Sequence, residues 1–218
     1  NHDFVFDMDG DGDLDVVFKG GPGNDIQIAK NDGMGSWSPP IMVYEDNSFP
    51  NTQIIGLTDA NGDGLLDILY NTTSSPALHI LIQKQEDVFD TPIKVGDTPS
   101  GHTQSVDLDL DGDLDMYLTN HPVIQGMSQT MEEKQANAKS PPERERDKLY
   151  RNEGKGKFKE VALQSGVKNY AYGLGLAVSD VNGDGYPDIY IGNDFQFPDF
   201  YYVNNGDGTF TESFEKYF

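Results

Sequence analysis

Cysteine is absent from this 218-residue sequence, which excludes both a disulfide framework and a thiolate metal site. Basic residues are scarce: 15 Lys and Arg stand against 37 Asp and Glu, for a formal net charge of -22. Polyanion binding needs clustered cations, so nucleic acid is excluded as a ligand. The one basic cluster, Arg144 to Lys148, is interleaved with Glu143, Glu145 and Asp147 and reads as a solvated loop. No run of about 18 apolar residues occurs, so no membrane-spanning helix is expected. Neither an initiator Met nor a signal peptide opens the chain. It begins Asn-His-Asp-Phe-Val-Phe, in strand-like alternation, as a fragment of a longer polypeptide would.

What is present is a chain able to fold. Its apolar fraction of 36% supports a core, and its 24 Gly and 12 Pro are spread along the length, as expected of many short strands joined by tight turns. A chain this acidic repels itself unless cations offset the charge. With no disulfides to stabilise it, bound metal is the leading candidate.

The decisive signal is an internal repeat. Four segments align: DMDGDGDLDVVF from Asp7, DANGDGLLDILY from Asp59, DLDLDGDLDMYL from Asp107 and DVNGDGYPDIYI from Asp180. Oxygen-bearing side chains stand at the first, third and fifth positions: Asp7, Asp9 and Asp11; Asp59, Asn61 and Asp63; Asp107, Asp109 and Asp111; Asp180, Asn182 and Asp184. Short carboxylates and amides at alternate positions of a curling loop converge on one hard cation. The sixth position is always Gly, as a turn with positive φ requires. The seventh varies among Asp13, Leu65, Asp113 and Tyr186, which fits a backbone carbonyl ligand. The ninth is always Asp (Asp15, Asp67, Asp115, Asp188), placed to close the site with one or both oxygens. All-oxygen ligation without His or Cys points to calcium, about four ions at one per loop. A single copy would be consistent with a metal-free acidic turn, but four copies would each gather carboxylates with nothing to offset their repulsion.

An EF-hand opens in the same way but needs a bidentate Glu at position twelve, where this chain has Phe18, Tyr70, Leu118 and Ile191. The residues after each loop are instead strand formers, apolar on both faces, and read as strands buried between two layers. The loops recur about every 50 residues, the length of a four-stranded unit. Strand A precedes each loop (Phe4 to Phe6, Ile54 to Leu57, Gln104 to Val106, Gly175 to Val178) and strand B follows it. Strand C is expected over Asp25 to Lys30, Leu78 to Gln83, Lys148 to Arg151 and Phe200 to Val203. Strand D is expected at Trp37, Phe89, Phe158 and Phe210, after the related turns KNDGMGSW, RNEGKGKF and VNNGDGTF. An insertion between Asn120 and Asp147 lengthens the third unit. Its stretch Met127 to Lys139 is helix-competent and ends at Pro141-Pro142. The fold class is therefore all-β, a β-propeller of four-stranded antiparallel blades. One propeller segment fills 1–218, with blades at about 1–48, 49–98, 99–166 (insertion 120–147) and 167–218.

The acidic loops, with LYRNEGKGKF and YYVNNGDGTF, resemble the FG-GAP/VCBS repeats of integrin α-chain propellers and bacterial surface proteins. The tract YGLGLAVSDVNGDGYPDIYIGNDF is similar to the bacterial subgroup related to cartilage acidic protein and UnbV-type proteins. The resemblance implies a propeller, typically seven-bladed, with calcium held between strands A and B on the Asp and Asn positions named above. Four blades fall short of seven, so either further blades of the same polypeptide lie outside this chain or the ring closes differently. Leu110 stands where the other loops have Gly10, Gly62 and Gly183.

The expected function is a calcium-binding extracellular scaffold, secreted or at a bacterial cell surface, recognising protein or glycan partners in adhesion or surface assembly. An enzyme such as a polysaccharide lyase is the competing class. The histidines His2, His79, His102 and His121 share no spacing and read as solvated or turn residues, so no catalytic constellation emerges. A carbohydrate-binding module is the third reading, motivated by Tyr170, Tyr172, Phe195, Phe197, Phe200, Tyr201 and Tyr202, although most of these fall on expected strands. Asn71-Thr72-Thr73 is a glycosylation sequon.

Overall fold

The computed structural model describes residues 3–20, 25–45, 52–72, 77–96, 101–120, 146–194 and 197–217. The insertion lies outside the described residues except at its two ends, as do His2, His121, Phe195 and Thr73 of the sequon. No helix among the described residues is long and apolar enough to cross a membrane.

The chain is all-β and divides into two compact units, Asn1–Pro99 and Ser100–Phe218. In the first, β1 (Phe4–Phe6), β2 (Asp15–Gly20), β3 (Asp25–Ala29) and β4 (Ile41–Tyr44) form an antiparallel sheet in sequence order. Next come β5 (Thr52–Thr58), β6 (Asp67–Thr72) and β7 (Ala77–Leu81), then a short hairpin of β8 (Gln83–Gln85) and β9 (Val88–Phe89), then β10 (Ile93–Gly96), which pairs with β7 to complete a second four-stranded sheet. In the second unit, β11 (Thr103–Val106), β12 (Asp115–Leu118), β13 (Lys148–Asn152) and β14 (Phe158–Glu160) form one meander. A second meander follows from β15 (Gly173–Ser179), β16 (Asp188–Asn193), β17 (Phe200–Asn204) and β18 (Phe210–Glu212), ending in the short helix α1 (Phe214–Tyr217). Each sheet is a propeller-type blade, with its acidic loop between its first two strands.

Each unit has its own core. Val17, Ile26, Ile28, Ile54, Ile68, Tyr70 and Leu81 pack in the first, and Tyr117, Leu149, Ile189, Ile191 and Tyr202 in the second. β6 and β12 are buried along their whole length, as an apolar run on both faces demands, whereas β2 alternates over its first residues and is only half-buried from Phe18 onward. Of the aromatic series, Tyr170, Tyr201 and Tyr202 are buried, so they serve the blade interior.

Two expected outer strands sit later than the sequence reading placed them. Trp37 makes only an isolated bridge to Asn31, and β4 starts after Pro40; Phe89 belongs to the β8–β9 hairpin, and β10 starts after Pro92. Proline cannot donate to a ladder, so pairing resumes only past it. His79 is also reassigned. It lies in β7, half-buried with its ring stacked on Tyr70 at a centroid distance of 5.2 Å, and is not in a turn. Asn71 of the sequon is 4% exposed within β6, where no glycan could be attached.

The second unit carries a repeated polar tie. Asp147 accepts hydrogen bonds from the Tyr117 hydroxyl (2.7 Å), the Asn120 amide (2.8 Å) and the Asn169 side chain (2.7 Å). In the next blade Asp199 accepts from the Tyr190 hydroxyl (2.6 Å) and the Asn193 amide (2.8 Å) at matching positions. The corresponding pairs in the first unit are apolar, Val17 with Ile26 and Leu69 with Leu78, all fully buried. Burial pushes the Asp147 carboxyl up to about 7, against the pull of its three donors. Its proton is therefore held more tightly in the folded chain than in the unfolded one. The stability this group contributes is full below the ordinary carboxylate value of about 4 and is lost as pH rises through about 7. Urea unfolding in chelator should accordingly show a midpoint that falls between about pH 4 and pH 7, and Asp147→Asn should flatten that fall. An unchanged slope in the variant would assign the effect elsewhere.

Candidate metal centre

The four acidic loops share one backbone scaffold that their own side chains build. The first Asp accepts amides from across the loop. Asp7 takes those of Gly10 (2.8 Å) and Gly12 (3.0 Å), and Asp59 those of Gly62 (2.8 Å) and Gly64 (2.8 Å). Asp107 accepts from Gly112 (3.0 Å), and Asp180 from Gly183 (2.7 Å) and Gly185 (2.9 Å). The fifth residue receives the amide of the seventh at 2.9 Å in every loop. Bonds of this kind turn the free oxygens of positions one, three and five toward a common centre. Oxygens of Asp7, Asp9 and Asp15 lie within 4.8 Å of one another, as do those of Asp107, Asp109 and Asp111. The second and fourth loops bring only two of these three positions together as carboxylates, because the third is Asn61 or Asn182. There the amide nitrogen donates to the fifth-position carboxylate, Asp63 or Asp184, at 2.9 Å.

The ninth residue has a different character from the rest. Asp15, Asp67, Asp115 and Asp188 are all at most 2% exposed. One oxygen of each accepts the amide of the loop's second residue: Met8 (2.9 Å), Ala60 (2.8 Å), Leu108 (3.1 Å) and Val181 (3.3 Å). The other accepts the amide of the residue that opens the C–D turn or hairpin: Asn31 (2.9 Å), Gln83 (2.8 Å), Asn152 (2.8 Å) and Asn204 (2.9 Å). Asp188 also accepts the Tyr201 hydroxyl at 2.6 Å. The position is a tether first. With both oxygens engaged, any metal contact it makes uses a remaining lone pair rather than an open bidentate face. Burial, above all, pushes Asp67 and Asp115 up to about 7, and neighbouring loop carboxylates add to the effect.

The seventh residue is constrained by more than its carbonyl. A side chain added at Gly33 would collide with Asp13, one at Gly154 would approach Asp113 to 3.3 Å, and one at Gly206 would meet the Tyr186 ring at 2.8 Å. The seventh side chain thus lies over the C–D turn, whose glycine leaves room for it. These turns, read from sequence as plain hairpin turns, brace the acidic loops. The signal was available in the common Asn at the head of NDG, NEG and NNG.

The donor set fits a hard divalent cation. It consists of oxygens alone, and in the third loop Asp109 Oδ1 is buried with no hydrogen-bond partner. Beside it opens a cavity of about 20 Å³, room for one water, with Asp115 and Arg151 on its wall. A cation is the partner that such an orphaned carboxylate oxygen calls for.

Four-stranded antiparallel sheets, each opened by an acidic loop of this geometry, define a β-propeller repeat protein. The chain belongs to the FG-GAP-like repeat family, whose profile matches residues 7–70 and 138–191, more than half of its length. It is similar to cartilage acidic protein 1 of Xenopus tropicalis, at 25% identity over 235 residues, covering 95% of this chain and 34% of that protein. The chain thus spans about a third of the relative's length.

Two substitutions test the division of labour within a loop. Asp188→Ala should destabilise the protein by about 3 kcal/mol even in chelator, because it strands two amides and a phenol. Asp109→Asn should leave chelator-treated stability nearly unchanged; equal losses in the two variants would refute the distinction. Leu110 tests backbone strain. It holds φ 60 where Gly10, Gly62 and Gly183 hold 78, 74 and 78, and its side chain is largely exposed. Leu110→Gly should raise stability by about 1 kcal/mol, measured by denaturant unfolding.

Proposed function

We propose that this chain is a calcium-stabilised extracellular propeller scaffold that presents its surface to a protein or glycan partner. The observation that carries the calcium reading is the buried, unpartnered Oδ1 of Asp109 within a converging group of carboxylates. The side chains of Asp7, Asp9, Asp11 and Asp15, with their counterparts Asp59, Asn61, Asp63 and Asp67, Asp107, Asp109, Asp111 and Asp115, and Asp180, Asn182, Asp184 and Asp188, would hold the ions. Backbone carbonyls of Asp13, Leu65, Asp113 and Tyr186 would complete the shells. When bound, calcium supplies positive charge that offsets carboxylate repulsion in a chain of net charge -22. The protein's part is to hold each loop curled through its own Asp-to-amide bonds, so that little ordering remains to be done at binding.

An extracellular setting is supported by the name of the relative, an acidic protein of cartilage. Loops with this many exposed carboxylates suit the calcium-rich space outside cells. A scaffold role is favoured over catalysis because the acidic groups pushed up to about 7 are all engaged by structural donors, Asp67 and Asp115 tethering loops and Asp147 holding Tyr117, Asn120 and Asn169. Partner recognition falls to the surface, and a glycan array and a surface-protein capture screen, each run with calcium and with chelator, would test it.

Calorimetric titration of calcium into chelator-stripped protein should show binding at about four loops, and chelator should lower the melting temperature by roughly 5–10 °C for each loop emptied. Each loop saturated at about a hundred times its dissociation constant contributes about 2.7 kcal/mol. No heat and an unchanged melting temperature would overturn the calcium reading.

A further inference from the structure

The four repeats differ at one position just outside the acidic loop, and the difference tracks the loop's own composition. The residue before the ninth-position tether's second partner is Lys30, Ile82, Arg151 or Val203 in the four blades. The third loop residue is Asp9, Asn61, Asp109 or Asn182. A basic residue stands beside each loop that has Asp, and an apolar one beside each that has Asn. In the Asn loops the amide itself donates to the neighbouring carboxylate, so a donor lies within the loop. In the Asp loops a basic side chain stands on the segment alongside, and in the first blade it reaches the loop carboxylate.

In the first blade that donor is engaged. The Lys30 side chain is 13% exposed, and its Nζ lies 3.3 Å from Asp9 Oδ2, 2.7 Å from Asp87 Oδ2 and 2.5 Å from Glu86 Oε1. Asp9 belongs to the converging trio with Asp7 and Asp15, and its other oxygen takes the Asp11 amide at 3.3 Å. The ammonium therefore sits on a carboxylate that a cation in the loop would use. Glu86 and Asp87 come from the separate β8–β9 hairpin, inserted in the chain between β7 and β10 of the next sheet in the same unit, with Asp87 at the turn in a left-handed conformation, φ 60. In the third blade the corresponding Arg151 lines the cavity beside Asp109 and lies close enough to lower the carboxylate's proton affinity, but its ion pair goes elsewhere. Arg151 pairs with Glu153 at 2.9 Å, and Asp109 Oδ1 is left buried without a hydrogen bond. The two blades thus differ in whether the basic side chain is ion-paired to the third loop residue.

We infer that Lys30 is a built-in competitor for divalent cation at the first loop, held between Asp9 and the Glu86–Asp87 hairpin, so that filling this loop releases the lysine onto the hairpin. The inference rests on the calcium reading above. It makes the first loop the weaker-binding of the two all-Asp loops and couples its occupancy to the β8–β9 hairpin. Lys30 acts here as a specificity-determining residue, setting affinity without touching the ion.

The test uses the single tryptophan, Trp37, which bridges to Asn31 in the turn tied to Asp15 and so reports on the first blade. Terbium luminescence sensitised by Trp37, and its displacement by calcium, reads the first loop alone, while calorimetry reads all loops. Lys30→Met keeps the aliphatic stem and should tighten calcium at the Trp37-reported loop on the order of ten-fold, since a unit charge in contact with a ligand carboxylate is removed. Arg151→Met should change its own loop much less. Glu86→Gln/Asp87→Asn should weaken the first loop by several-fold in the wild-type background and lose most of that effect when combined with Lys30→Met, a coupling that a purely structural salt bridge would not produce. Equal or weaker calcium binding in Lys30→Met, with its chelator-treated fold intact by circular dichroism, would overturn the inference while leaving the calcium reading standing. A wild-type protein that binds calcium at no loop overturns both.

Discussion

A buried carboxylate at the head of each second strand is the constraint on which the rest of the structure depends. Asp15, Asp67, Asp115 and Asp188 each join three pieces of chain that are distant in sequence: the start of the acidic loop, the strand they begin, and the turn beyond the third strand. A charge this deep is tolerable only if its lone pairs are met, and two backbone amides meet them in every blade. The loop's shape follows from that tether. Once the second and ninth residues are fixed to each other, the residues between them must curl, and their carboxylates face inward.

Curling concentrates negative charge, and the four loops relieve it in different ways. Asn61 and Asn182 replace a carboxylate with an amide that donates within the loop. Lys30 brings an ammonium onto Asp9, and it is tied in turn to Glu86 and Asp87. The third loop keeps all its carboxylates and leaves one oxygen of Asp109 buried and unmet. Repulsion left unrelieved inside the protein is a demand for a cation, so the third loop states most clearly what the others accommodate with side chains of their own.

Much of this was legible in the sequence, because loop chemistry is local. The repeat of Asp, Gly and Asp at fixed offsets revealed the loops, the strands that follow them and the four-stranded period, and first and third strands were found to within a few residues. What escaped depended on pairing between distant segments. Nothing local announces that a turn opened by Asn31, Asn152 or Asn204 donates to a carboxylate in another strand, nor that Asp13, Asp113 and Tyr186 lie over the glycines of those turns. Trp37 and Phe89 misled because an aromatic after a turn looks like a strand start, whereas Pro40 and Pro92 delay pairing to the residues that follow them.

The differences among repeats come in pairs, and the pairs explain why they are tolerated. Tyr117 with Asp147, and Tyr190 with Asp199, occupy positions held elsewhere by Val17 with Ile26 and Leu69 with Leu78. Either combination is acceptable in a buried layer; a mixed one would leave a hydroxyl or a carboxylate without a partner. The same logic links Asn at the third loop position to an apolar neighbour, and Asp to a basic one. A glycine in the turn likewise accompanies a seventh side chain that needs the space above it. A repeat protein built on one motif can thus vary its blades only along such compensated pairs, and the lysine beside Asp9 is the pair that reaches from one blade's loop into the next blade's hairpin.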